Sequence, residues 1–219
     1  MNYIVIDLEF TVMRQKKHLS DIIEIGSVKL TVDEGEIAMT DLFHSYVRPS
    51  TSPVITPLTT AFTGITQRQV DSAPPFPEAI QNFANWLGEE PYYLLAWGPD
   101  DKLMLVKQCE QHGLGLGWIR NYNDIQLQFT YQQGGNKGGR WGLTKALTAL
   151  DIPFFGTQHR ALDDAFNTAK LFKAIFPLLK LQENNAAEER LQERAIVYST
   201  GREANRPFSQ LAKLLETAI

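Results

Sequence analysis

The chain has 219 residues, of which 43% are hydrophobic and 21% are charged, and its formal net charge at pH 7 is −4. This composition predicts one globular domain of ordinary size with a buried core. The negative charge argues against a protein that coats long stretches of duplex, because such binding needs many Lys and Arg contacts to phosphates. Binding of a short nucleic-acid end, with metal ions supplying positive charge, remains compatible with it.

The cysteine content and the lengths of the apolar runs indicate the cellular compartment of the protein. The single cysteine, Cys109, excludes an intrachain disulfide and a thiolate metal cluster. It shares a helical face with Leu105 and Val106, which predicts a buried, unreactive thiol. The first seven residues lack the basic region of a signal peptide, and no run approaches the ~20 apolar residues that cross a bilayer. We therefore expect a cytoplasmic protein with no membrane association.

The first part of the chain predicts three antiparallel strands. Residues 3–6 are apolar and largely β-branched, as in a buried central strand. A polar gap rich in Lys and Arg at residues 13–17 precedes a second predicted strand at residues 22–30. A third strand is predicted at residues 37–47, and Asp33-Glu34-Gly35 has the composition of a hairpin turn.

The rest of the chain predicts helices that alternate with two more strands. Prolines and a Thr-Gly pair predict a short helix and a turn within residues 53–64. Apolar spacing predicts strands at 92–97 and 118–122 and helices at 76–87, 100–112, 124–132, 143–150 and 162–176. Residues 133–140 form a glycine-rich loop, and Pro177 ends the last helix. This order predicts an α/β fold in which helices flank a mixed sheet.

The composition changes near the C-terminus. From about residue 182 the sequence becomes polar and charged. We therefore predict a main domain over residues 1–181 and a polar, helical C-terminal appendage over residues 182–219.

Two acids lie at the end of the first apolar strand. Because successive side chains of a strand point to opposite faces, Asp7 and Glu9 share one face while Leu8 points the other way. Side-by-side carboxylates repel each other unless a cation lies between them, and such hard oxygen ligands suit Mg²⁺ or Mn²⁺. Alone, the Asp-x-Glu pattern is common, and solvated acids at the end of a strand are its simpler explanation.

Two further clusters carry acids at predicted helix N-termini. Asp100 and Asp101 follow a Gly-Pro turn, and Asp163 and Asp164 begin the last long helix shortly after His159. Such acids can simply cap a helix and complement its dipole. One acid of each pair could instead project into a site, where the histidine could take a proton from a bound water. The pattern alone leaves open which acid of each pair would do so.

Together these residues form a rare constellation: an acid pair on the first strand, an acid after a later strand, and a histidine followed by an acid. In this order it resembles the DEDD superfamily of 3′→5′ exonucleases, in the branch whose third motif is His-x4-Asp (DEDDh). Three further segments match this family: Ile22-Ile23-Glu24-Ile25-Gly26, Thr63-Gly64-Ile65-Thr66 and Gly142-Leu143-Thr144-Lys145-Ala146-Leu147. The resemblance covers about residues 3–176 and is greatest to the branch of Eri-like and histone-mRNA exonucleases and bacterial KapD sporulation-inhibitor proteins.

The resemblance implies a ribonuclease-H-like fold, with a five-stranded mixed sheet flanked by helices on both sides. It implies His159 as the general base and four acids as ligands of two Mg²⁺ or Mn²⁺ ions: Asp7, Glu9, Asp101 and Asp164. In this family the middle acid stands four places after a tryptophan and the last acid five places after the histidine, which selects one member of each doublet. The expected activity is release of mononucleotides from the 3′ end of a single strand, with RNA favoured over DNA.

Residues beside these acids are candidates for contacts to the substrate. They are Phe10, Thr11, Phe62, Thr63 and Arg160. The family pattern places Phe62 against the last base, although ordinary core packing explains this residue equally well. In the glycine-rich loop Arg140 and Lys137 could contact phosphates, but a solvated loop is the simpler explanation of Lys137.

Two other functions remain open. The chain could be a catalytically idle nuclease-fold module that binds a protein partner, although all five residues of the constellation are present. It could also hydrolyse very short oligonucleotides, which the low basic content favours. In either case a protein partner could bind through the appendage at residues 182–219 or the glycine-rich loop.

Overall fold

The structure is a computed structural model that describes residues 1–12, 20–33 and 35–199. In chain order its elements are β1 (Asn2–Phe10), β2 (Ile22–Asp33), β3 (Glu36–Tyr46), α1 (Pro57–Thr63), α2 (Gln67–Asp71), α3 (Phe76–Leu87), β4 (Tyr92–Ala96), α4 (Asp100–Gln111), β5 (Tyr122–Asp124), α5 (Ile125–Gln132), α6 (Leu143–Ala149), α7 (Ala161–Ile175), a 3-10 turn (Phe176–Leu178) and α8 (Ala186–Ser199).

The strands form one mixed sheet in the order β3-β2-β1-β4-β5. β2 pairs antiparallel with β1 and with β3, and β4 pairs parallel with β1 and with β5. β1 therefore lies at the centre of the sheet, as its apolar sequence predicts. The predicted five-stranded mixed sheet is confirmed.

β1 contributes to the core on both faces of the sheet. Its even-numbered residues Ile4, Ile6 and Leu8 pack with α3 and α4 on one face. On the other face, Tyr3 and Val5 pack with α7. Helices thus flank the sheet on both sides, and the two-residue period of the strand carries the odd-numbered acids of β1 onto the face covered by α7.

Several predicted boundaries differ from the observed ones. β1 continues past the apolar run to Phe10, so its two acids lie within the strand, as their predicted shared face requires. The strand predicted at residues 118–122 is wrong over most of its length, because residues 117–119 form turns and Asn121 adopts a positive φ of 52° before β5 begins. The sequence does not predict the short helix α2. The remaining predicted helices and strands are confirmed, most of them with ends within one or two residues.

Three predicted features fall on residues that the structure does not describe. The basic gap at residues 13–17, Glu34 of the hairpin turn and the appendage beyond residue 199 lie outside the described residues.

Cys109 is fully buried as predicted, and this burial raises the pKa of its thiol to about 12. Among the residues described, no helix has both the length and the apolar character needed to cross a membrane.

Residues 182–186 cover the outer edge of β5. Asn184 Oδ1 accepts the Tyr122 N–H at 3.0 Å, and Asn184 Nδ2 donates to the Tyr122 carbonyl at 2.9 Å. Ala186 is buried in the core, and Glu189 of α8 forms an ion pair with Lys102 of α4 at 2.7 Å. This stretch therefore packs closely on the main domain, and the division at residue 181 remains a prediction.

Candidate active site

The first part of the site lies where β4 no longer pairs with β1. The pairing of these strands runs only from Asn2 to Val5 on β1. Further along, the N–H of Leu8 donates to Asp101 Oδ1 at 3.1 Å. Asp101 is the second residue of α4 and is only 7% exposed. The N-terminus of α4 thus places a carboxylate against β1, beside the strand's own acids.

The second part of the site lies at the N-terminus of α7. His159 precedes this helix in the left-handed conformation, with φ 61°, and its N–H donates to Asp164 Oδ2 at 2.8 Å. The neighbouring acid faces elsewhere: Asp163 Oδ2 accepts the Thr157 N–H at 2.8 Å. A Cβ on Gly156 would lie 2.4 Å from the Asp163 carboxyl carbon, so only glycine allows this contact. Asp163 therefore holds the loop before α7.

The two parts bring possible metal ligands together. One carboxylate oxygen each from Glu9 and Asp164 and one ring nitrogen of His159 all lie within 4.8 Å of one another. Carboxylate oxygens are the ligands that Mg²⁺ and Mn²⁺ prefer. Asp7 and Asp101 lie outside this group of three but adjoin it. The donor chemistry of the cluster fits a hard divalent cation.

Burial raises the pKa values of all four acids, and repulsion by neighbouring carboxylates raises them further. Burial is the largest cause in each case. It raises the pKa of Asp7 well above its ordinary range, and Asp101, Asp164 and Glu9 raise it further. The pKa is about 8 for Glu9, about 7 for Asp101 and about 6 for Asp164. Such acids resist ionisation unless positive charge is brought to them, which is what a bound cation does.

A pocket of about 360 Å³ opens beside Glu9. Its lining includes Phe10, Thr11, Phe62, Asp100, Leu103 and Met104. Phe62 is 52% exposed, and its ring lies 4.1 Å from the His159 ring between centroids, at an interplanar angle of 34°. Core packing therefore does not explain the presence of Phe62 at this position. Its side chain lines the pocket and also contacts the His159 ring.

Three of the other predicted substrate contacts, Thr63, Arg160 and Arg140, have protein partners. Thr63 is buried, and its hydroxyl donates to a carbonyl within α1. The guanidinium of Arg160 binds the carboxylate of Glu24. Lys137 is exposed, whereas Arg140 forms an ion pair with an acid at the start of α5. Their roles in substrate binding remain predictions.

Glu24 is the residue of this region that sequence reasoning did not single out. It appeared only as part of a matching segment, yet its side chain has no solvent exposure. A charged residue inside an otherwise apolar strand was the available signal, because a carboxylate is almost never fully buried unless it is paired.

Comparison with known proteins defines the class. A family model described as an exonuclease (RNase_T) matches residues 4–172, which is most of the chain. The chain therefore belongs to this exonuclease family, as the resemblance to the DEDDh branch predicted.

Named relatives include eukaryotic and bacterial proteins. ERI1 exoribonuclease 2 of Danio rerio is 36% identical over 191 residues, an alignment that covers 77% of this chain and 34% of the relative. KapD of Bacillus subtilis strain 168, a probable 3′-5′ exonuclease, is 32% identical over 176 residues, covering 78% of this chain and 83% of the relative. The chain thus spans about a third of the first relative and most of the second.

Solved structures share the fold. The nuclease domain of 3′hExo, a DEDDh family member bound to rAMP, aligns with a TM-score of 0.73 and 26% identity, covering 84% of this chain and 96% of that chain. A 3′-exonuclease that recognises the histone mRNA stem-loop aligns with a TM-score of 0.74 and 25% identity, covering 84% and 66%. These matches confirm the predicted ribonuclease-H-like fold.

The raised pKa values predict how stability depends on pH and metal. An acid whose pKa is higher in the folded state binds more protons there than when unfolded, so its contribution to stability is lost as pH rises through the folded value. For these acids the window runs from about pH 4, the unfolded value, to about pH 8. Metal-free protein should therefore melt at lower temperature at pH 8 than at pH 5, and Mg²⁺ should raise the melting temperature more at pH 8.

The sharpest form of this test uses Asp7→Asn. Because asparagine cannot ionise, the substitution removes the free energy that the unfolded chain gains at pH 8 from ionisation of this residue. It should therefore stabilise the metal-free protein there, by about 2–4 °C for each kcal/mol. The same substitution should weaken the Mg²⁺-dependent gain in melting temperature. Asp41→Asn, at an exposed acid of β3 that accepts the Trp86 indole N–H, serves as the control. Equal melting temperatures for wild type and Asp7→Asn at pH 8, with equal gains from Mg²⁺, would contradict both the raised pKa of Asp7 and its role as a metal ligand.

Proposed function

We propose that this protein is a metal-dependent 3′→5′ exonuclease that releases mononucleotides from single-stranded nucleic acid. One observation carries the proposal: Glu9, His159 and Asp164 bring two carboxylates and an imidazole within 4.8 Å of one another, beside a pocket open to solvent. Membership of the exonuclease family supports the reaction class. The 3′→5′ direction is supported by KapD, whose name gives that direction.

The four acids would hold the metal. Asp7, Glu9, Asp101 and Asp164 offer enough oxygen ligands for two Mg²⁺ or Mn²⁺ ions, the number we propose. The ions would supply positive charge against the negative charge that develops on the scissile phosphate. The elements β1, α4 and α7 fix the backbone positions of these four acids. Their carboxylates would therefore hold the ions at fixed positions.

His159 would act as the general base. Its backbone N–H donates to Asp164, and its ring packs against Phe62 at the edge of the acid cluster. A histidine in this position can take a proton from an attacking water near neutral pH. No side chain of the cluster needs to become a covalent nucleophile.

The pocket beside Glu9 would receive the 3′-terminal nucleotide. Its volume of about 360 Å³ lies at the lower end of the range for small-molecule sites. Phe62 offers an exposed aromatic face for stacking on a base, an interaction that tolerates any base. Phe10 and Thr11 follow Glu9 directly and line the same pocket, so their backbone can approach the terminal sugar.

RNA is the proposed substrate in preference to DNA. The support is the nature of the relatives, which include the ERI1 exoribonucleases and a 3′-exonuclease of histone mRNA. The net charge of −4 fits binding of a short single-stranded end rather than a long duplex. A cytoplasmic location and a protein partner at the C-terminal appendage remain predictions.

The acid assignment predicts loss of activity without loss of fold. Asp7→Ala and Asp164→Asn should each lower the rate of nucleotide release about 100-fold or more, because each removes a metal ligand. The assay resolves the product ladder from 5′-labelled single-stranded RNA and DNA, with Mg²⁺ and with EDTA. EDTA should abolish the ladder made by the wild type, and Asp41→Asn should keep full activity.

Either acid variant trimming RNA at the wild-type rate would refute the assignment. A wild type that binds a partner protein but never trims would favour the idle module. Cleavage of a dinucleotide, without trimming of the longer RNA or DNA, would favour a hydrolase of very short oligonucleotides.

The histidine assignment predicts a changed pH dependence. His159→Ala should lower the rate at pH 7 by about 10²- to 10⁴-fold, the usual contribution of a general base. Part of the loss should be recovered near pH 9, where hydroxide is more abundant and a base is less needed. Rates measured from pH 6 to pH 9 test this expectation, and a profile parallel to that of the wild type would remove His159 as the base.

A further inference from the structure

The buried acid Glu24 holds the backbone that carries the proposed base. Its carboxylate accepts hydrogen bonds from Arg160 Nη2 at 2.9 Å, from Arg160 Nε at 3.3 Å and from the Ala161 N–H at 3.0 Å. His44 Nε2 also lies 2.7 Å from Glu24 Oε1, the oxygen that Arg160 Nη2 contacts. Burial by itself raises the pKa of Glu24, but these bonds outweigh it and hold the pKa below its ordinary value. Glu24 therefore ties β2 to His44 of β3 and to the residues that begin α7.

A second contact joins the same two segments. Gly26 stands two residues after Glu24 in β2, and it pairs with Asp7 across the sheet. A Cβ added to Gly26 would lie 2.1 Å from the Ala161 carbonyl carbon and 2.1 Å from the Leu162 nitrogen. The start of α7 therefore rests directly on the backbone of β2. Glu24 binds the start of α7, and Gly26 leaves room for it to approach β2. These two contacts give the segment at residues 22–26 a physical role.

His159 depends on this contact because its own conformation is unfavourable. A φ of 61° is uncommon for a residue other than glycine and persists only where the surroundings impose it. Asp164 binds the N–H of His159, while Glu24 binds the two residues that follow it. The backbone of this residue is thus held from both sides.

We propose that Glu24 is a positioning residue for His159, and that it acts through the guanidinium of Arg160 and the amide of Ala161. This inference rests on the proposed role of His159 as the base. It assigns Arg160 to the protein scaffold rather than to the phosphates of the substrate.

The surroundings of Arg160 support its assignment to the scaffold. Besides binding Glu24, its Nη2 donates to the hydroxyl of Tyr46, and its guanidinium lies 5.6 Å from the centroid of the Tyr46 ring. The Tyr46 hydroxyl in turn accepts a hydrogen bond from Gln69 of α2. Arg160 is therefore fixed between β2, β3 and α2, with its planar donors matched to a carboxylate as a fork.

The decisive experiment combines Glu24→Gln with His159→Ala. Glu24→Gln keeps the shape of the side chain but removes its charge. At pH 7 it should lower kcat for release of the first nucleotide from single-stranded RNA about 10- to 100-fold, since a misplaced base is costly, with KM changed less than about twofold. In the His159→Ala background it should cause no further loss. A purely structural role would lower kcat equally in both backgrounds and would overturn the proposal.

The pH profile gives a second readout. Because hydroxide replaces a poorly placed base, the deficit of Glu24→Gln should shrink towards pH 9, in parallel with that of His159→Ala. A deficit that is constant with pH would contradict positioning of the base. Asp41→Asn, which replaces an acid of the neighbouring strand outside the network, should match the wild type throughout.

Arg160→Lys separates the two roles of the arginine. Lysine keeps the positive charge that a phosphate contact needs but loses the fork that Glu24 binds. Positioning predicts a lower kcat with KM near the wild-type value, and no further loss when Glu24→Gln is added. A raised KM that multiplies with the effect of Glu24→Gln would return Arg160 to substrate binding and overturn this part of the inference.

Milder variants keep the test decisive if Glu24→Gln fails to fold. Tyr46→Phe removes only a hydroxyl that accepts from Arg160, and together with Arg160→Lys it then carries the test by the same measurements. Failure of the wild type to trim RNA would refute the proposed function, and full activity of His159→Ala would remove His159 as the base. Full activity of Glu24→Gln beside an inactive His159→Ala would refute only the positioning role.

Discussion

Repulsion among four crowded carboxylates is the constraint on which the candidate site depends. Their pKa values are raised first by burial and then by neighbouring acids, so the fold holds them together against their own electrostatics. Burying an unpaired charge is among the costliest arrangements in a protein, and it persists here because the sheet and its covering helices are stable for other reasons. A divalent cation turns the same arrangement from a cost into a binding site, because its charge favours the ionised form of every acid around it.

The fold supplies this arrangement from its centre. β1 is paired on both sides and covered on both faces, so the positions of Asp7 and Glu9 are fixed by the whole sheet. The parallel neighbour β4 ends early, and α4 begins there with Asp101 facing the unpaired backbone of β1. Ligand sites in α/β folds commonly lie at such carboxyl ends of strands. α7 closes the site from the opposite face, and its first residues rest on β2 through Gly26.

Much of this could be predicted from the sequence, and the failures have physical reasons. Short apolar runs and helical spacing gave most elements, and the acid pair of β1 followed from the two-residue period of a strand. Periodicity could not place β5, because three residues carry too little pattern and Asn121 redirects the chain just before them. The pattern of residues left both acid doublets open until the family spacing was considered, and tertiary contacts separate the second doublet, since Asp163 bonds its own loop while Asp164 bonds His159. A charge inside an apolar strand marked Glu24, but its contacts could not be predicted, because they depend on how β2 packs against the start of α7.

The measurement that bears most directly on the central claim is anomalous diffraction from crystals soaked in Mn²⁺, recorded for the wild type and for a variant with Glu9 changed to Gln. We predict anomalous density for two ions among the oxygens of Asp7, Glu9, Asp101 and Asp164, with the imidazole of His159 at their edge. The variant should lose occupancy of at least one ion. Wild-type crystals with manganese bound elsewhere, or with no density among these carboxylates at millimolar Mn²⁺, would contradict the account.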